Sequence, residues 1–117
     1  MTPLYDVISL WPVIGKGPSH VPWPSAKLAM AIRSKNAHCT LQNITPPLHW
    51  QATARKSGVA GVWEAMRFMA DRVEPALTAL QARLPADFPA STAEAVFEGV
   101  RTQLERWQQG VEVLDGR

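Results

Sequence analysis

Cysteine is nearly missing from this chain: Cys39 stands alone. It has no partner for an internal disulfide and no neighbouring ligand set for a zinc site, so the chain is expected to work in a reducing cytoplasm. Long apolar runs are missing too. No stretch reaches the ~18 apolar residues that a bilayer span needs, and no basic patch leads into an uninterrupted apolar segment, so neither membrane insertion nor export is expected. Charge of one sign is scarce: 12 Lys and Arg stand against 10 Asp and Glu, leaving a formal +2. Such a small excess marks no polybasic protein and is by itself weak support for nucleic-acid binding.

What is present is enough for one domain. The chain has 117 residues, of which 46% are hydrophobic, giving room for one core and not for two. Its 10 prolines punctuate it. Residues 5–10 suit a helical turn or two ended by Pro12, and residues 15–24, with two glycines and three prolines, read as an ordered loop. From Lys27 to Ile32 apolar and other residues alternate, and a polar turn at Ser34, Lys35 and Asn36 precedes residues 39–44. This fits a short β-hairpin, although a helix over residues 26–33 fits the propensities nearly as well.

The second half is helical in pattern. Thr45 followed by Pro46 and Pro47 marks a helix start, with Ser57 near its end and Gly58 as its C-terminal cap. Val59, Val62, Trp63, Met66, Met69, Val73, Leu77, Leu80 and Leu84 then recur at helical spacing, with Pro75 expected to kink or divide that helix. After the "PADFP" break, a last helix carries Ala93, Val96, Phe97, Val100, Leu104 and Trp107 on one face and Glu94, Glu98, Arg101 and Glu105 on another. The fold class is therefore mainly α, with room for one short hairpin. A folded unit over residues 1–109 and a flexible tail over 110–117 are expected.

Most candidate chemistry has a plain alternative. Gly15, Lys16 and Gly17 miss the spacing of the phosphate-binding loop and of the dinucleotide fingerprint, and read as a turn. His20, His38 and His49 lie far apart in three expected elements, and the serines lack a nucleophile-elbow context. Arg55 and Lys56 could meet phosphates, with Arg33 and Lys35 not far off in sequence, or could simply complement the negative end of a helix dipole. Asp6 is the sharpest case. An ionised carboxylate among Pro3, Leu4, Tyr5, Val7, Ile8 and Leu10 is costly unless it caps a helix or holds a cation, and its neighbours do not choose between the two.

Four stretches, "TPLYDVISLWPVIGKGP", "AKLAMAIRSKN", "HWQATARKSGV" and "LPADFP", occur in this order over most of the chain. Together they resemble the C-terminal part of the HipA family of serine/threonine kinase toxins, the kinase-like partners of helix-turn-helix antitoxins in type II toxin–antitoxin modules. The resemblance implies the helical C-terminal subdomain of a kinase-like fold. It implies ATP and Mg²⁺ as cofactors of a complete protein and aminoacyl-tRNA synthetases as the substrate class. The aspartate of the family's "YD" pair is its magnesium ligand, which falls on Asp6, and Tyr5 would then line the nucleotide site. A HipB-like antitoxin and operator DNA are the implied partners, with Arg55 on a DNA phosphate and Lys56 beside it.

The departure matters as much as the match. A kinase needs a phosphate-covering loop, a phosphate-binding lysine, a catalytic base and a metal-binding asparagine. In HipA-like kinases these lie upstream of the "YD" pair, and upstream of Asp6 this chain has only five residues. The expectation is a fragment inactive by itself, binding neither cofactor alone, with surface exposed for self-association. The alternative is a non-catalytic module that contacts antitoxin and operator DNA.

Overall fold

A computed structural model of the chain describes residues 9–33 and 36–116. It is mainly helical, with four α-helices and one two-stranded antiparallel sheet, as the sequence pattern predicts. The strands are β1, Lys27–Arg33, and β2, Ala37–Thr40. The helices are α1, Leu48–Ser57; α2, Val62–Asp71; α3, Val73–Arg83; and α4, Ala90–Asp115.

The opening described segment is fixed by its own backbone. Most of the helical turn expected over residues 5–10 lies outside the described residues; Pro12 itself falls within a 3-10 turn, Trp11–Val13, a first-turn position where its missing N–H is not needed. The Gly/Pro-rich loop then closes on itself: the Val21 N–H donates to the Val13 carbonyl at 2.7 Å and the Gly15 N–H to the Val21 carbonyl at 3.1 Å. A second 3-10 turn, Trp23–Ser25, stacks Trp23 on Trp11 with ring centroids 5.5 Å apart.

The hairpin reading wins over the helical one at residues 27–33. Its ladder is irregular: Lys27 faces Thr40, yet Ile32 faces His38 and Arg33 faces Ala37, so β1 carries extra residues between its paired ends. Met30, inside that irregular stretch, is 83% exposed, while Ile32 beyond it is buried. A strict alternation would have put both on one face.

The long apolar stripe divides at Arg72, three residues before Pro75. The proline ring crowds the carbonyl four residues earlier and offers it no N–H, so the ladder fails at Asp71. Arg72 closes the last turn of α2 with a shorter bond to the Met69 carbonyl, and Ala76 restarts the ladder on the Arg72 carbonyl. Helix α1 begins at Leu48, later than the Thr45–Pro46 signal implied, and ends as expected on Gly58 in the left-handed conformation at φ 68°. Helix α4 continues through Gly110 to Asp115, so residues 110–115, expected as tail, are helical.

Among the described residues, the buried apolar core comprises Ala26, Ile32, Ile44, Ala54, Leu77 and Phe97, joined by His49 and by Pro47, which is essentially sealed. Trp63 of α2 meets Trp107 of α4 at 5.3 Å, and Leu80, Leu84, Phe88 and Phe97 cluster where α3 turns into α4. The accessible surface is 8932 Å², against about 6300 Å² for a compact chain of 12.9 kDa. The radius of gyration, 15.9 Å, likewise exceeds the roughly 13 Å of a compact domain this long.

Candidate functional site

Tyr5 and Asp6, the expected nucleotide and magnesium contacts, lie outside the described residues, as does Lys35. Arg55 and Lys56 are described. Both are exposed in the last turn of α1, next to the chain reversal at Gly58. Ser57 ties that end down, its hydroxyl donating to the Ala54 carbonyl at 2.7 Å and accepting from the Val59 N–H at 3.2 Å.

The electrostatics of this end allow two uses of the pair. A helix C-terminus carries about half a negative charge, which cations in the last turn offset; their exposed positive charge also suits an anion, with the carbonyl ends beside them weakening the attraction. Binding would then depend strongly on salt.

The other expected positions are structural. The Gly15 amide is spent on the Val21 carbonyl, and the His20 ring lies over Gly15, so the Gly15–Gly17 loop is a turn rather than an anion cradle. His49 is buried, and its Nδ1 accepts the Thr45 N–H at 2.9 Å, stitching the start of α1. Among the described residues, no three His, Cys, Asp or Glu side chains gather as metal ligands, and no helix is long and apolar enough to cross a membrane.

No protein-family model matches the chain.

Two clefts involve none of the expected site residues. One, of about 350 Å³, runs between α2 and α4, where Arg67, Asp71, Gln108 and Glu112 surround Trp107, and the Arg67–Asp115 ion pair joins the same two helices at 3.3 Å. The other, of about 460 Å³, opens beside the stacked Trp11 and Trp23, with Gln42, Gln103 and Arg106 on its walls. Sequence reasoning missed both, because each joins residues far apart in the chain. The tryptophans and the polar positions of α4 were the available signal.

Proposed function

We propose that this chain is the C-terminal helical part of a HipA-like serine/threonine kinase toxin, unable to transfer phosphate by itself. The observation that carries the reading is the order of its four motifs, from the "YD" pair at Tyr5 and Asp6 to "LPADFP". The mainly helical build and the large exposed surface agree with a subdomain that packs against another lobe. In a complete protein Asp6 would supply a carboxylate oxygen to Mg²⁺, and Tyr5 would face the nucleotide. One carboxylate alone neither holds ATP nor orients a hydroxyl, because phosphoryl transfer depends on positioning and charge stabilisation by several groups together.

Purified chain incubated with labelled ATP, Mg²⁺ and an aminoacyl-tRNA synthetase is expected to give no transfer above a control without the chain. Clear transfer would overturn the assignment of inactivity. The ancestry has its own check: DNA just upstream of the Met1 codon should encode an "HxxxN" catalytic loop, in frame or frameshifted, and a sequence without one would remove the reading.

The exposed Arg55–Lys56 pair favours a second reading, a module that contacts antitoxin and operator DNA. Replacing both by alanine is expected to weaken a gel shift uniformly across DNA sequences and to lower its salt slope by about two. Unchanged binding would assign the pair to the helix end alone.

A further inference from the structure

The outward side of α2 has a composition that its inward side does not explain. Val62, Trp63, Met66 and Ala70 turn toward the rest of the chain, with Trp63 against Trp107. Gly61, Glu64, Ala65, Phe68 and Arg72 recur at spacings of three and four, share the opposite side, and are all exposed. Phe68 sits at the middle, 61% exposed, with Met69 beside it at 69%. The Arg72 guanidinium lies 5.5 Å from the Phe68 ring centroid, and Arg72 has no described salt bridge.

We propose that this face pairs with the same face of a second copy, two α2 helices running antiparallel about a two-fold axis at Phe68. The pattern is self-complementary in the way a two-fold interface requires. Glu64 lies four residues before Phe68 and Arg72 four after, so the axis sets Glu64 of each copy opposite Arg72 of the other. Two opposite-charge pairs flank one aromatic centre. Ala65, one turn before Phe68 on the same face, leaves space beside the axis for the second copy's Phe68, and the second copy's Ala65 does the same in return. A parallel arrangement would instead set Glu64 against Glu64 and Arg72 against Arg72.

A helix face with an aromatic anchor at its centre and charges at its rim also matches the usual distribution of binding energy across an interface.

Charge exchange tests this pairing and not merely dimer formation. Sedimentation equilibrium of the full chain is expected to show a dimer at about 100 μM, a micromolar affinity. Glu64→Arg or Arg72→Glu alone turns both cross-pairs into like-charge pairs and is expected to weaken the dimer at least ~10-fold. Combining the two restores opposite charges and should recover most of the wild-type affinity. Phe68→Ser, at an exposed position, should abolish the dimer with helix content unchanged by circular dichroism. A wild-type monomer at that concentration, leaving the face to some other partner, would overturn the proposal. So would a dimer indifferent to Phe68→Ser, or a double exchange no stronger than the singles.

Discussion

Replacing Gly110 by alanine is expected to destabilise the chain by about 2–3 kcal/mol, measured as a lowered midpoint in urea at unchanged slope. Helix propensity points the other way, since alanine is favoured over glycine in a helix interior by about 1 kcal/mol. Contact reverses the sign. A methyl group built at Gly110 would collide with Pro47 Cδ and with the Pro46 carbonyl oxygen. Neither can yield cheaply: Pro47 is sealed in the core, and Ile44 and Thr45 just before it are bonded to Arg106 and His49. Gly99, three turns earlier on nearly the same side of α4, supports the Trp11 ring in the same way. Gly99→Ala should cost less, about 1 kcal/mol net, because a side chain on a short 3-10 turn can swing aside where a proline backbone cannot. A Gly110→Ala chain more stable than wild type would mean that the 44–47 loop does not rest on α4.

Those two glycines also show what the sequence pattern could and could not reveal. The stripe of Ala93, Val96, Phe97, Val100, Leu104 and Trp107 announces the inward face of α4, and Phe97 is buried as that stripe requires. The solvent face with Glu94, Glu98 and Glu105 is equally plain, and all three are exposed. A third face, with Gly99, Gln103, Arg106 and Gly110, has no apolar signal at all. It packs by allowing backbone and rings to come close, and closeness to Trp11 or Pro47 depends on segments some 60 to 90 residues away. Single-sequence periodicity registers burial through apolar side chains, so a face that works through missing side chains stays silent. The same limit shaped the end of the helix: Gly110 looked like the start of a frayed tail, whereas its lack of a Cβ is what lets α4 continue beneath the 46–47 peptide.

The candidate site was legible in part and for an identifiable reason. Arg55 and Lys56 stand out because Gly58 fixes the helix end, and a cap identifies the exposed last turn from sequence alone. Tyr5 and Asp6 rest on the HipA resemblance and on no described geometry. The outward face of α2 lay off the inward stripe, yet it had a signal of its own: an aromatic residue between Glu64 and Arg72 at equal spacings. One amphipathic helix thus carries two messages, and a search for the core reads only the first.

Arg106 holds the same loop to α4 by attraction where Gly110 does so by space. Its Nη2 donates to the Ile44 carbonyl at 2.7 Å and its Nη1 to Gln103 Oε1 at 3.1 Å, in a part-buried setting. Arg106→Ala should therefore lower stability by about 2–3 kcal/mol, because it removes a charge-assisted bond and leaves the carbonyl of a buried residue without that donor. Arg106→Lys is expected to lie between, at about 1 kcal/mol, since an ammonium can reach one acceptor but lacks the planar fork that spans both. The two substitutions act on one docking event. Once Gly110→Ala has lifted the loop from the helix, the Ile44 carbonyl is already out of reach of Arg106, and removing the guanidinium takes little more. The double variant should accordingly lose at least about 1 kcal/mol less than the two single losses added together. Strict additivity in that cycle would show that the loop is held at two independent places, and that the glycine and the arginine merely share a face.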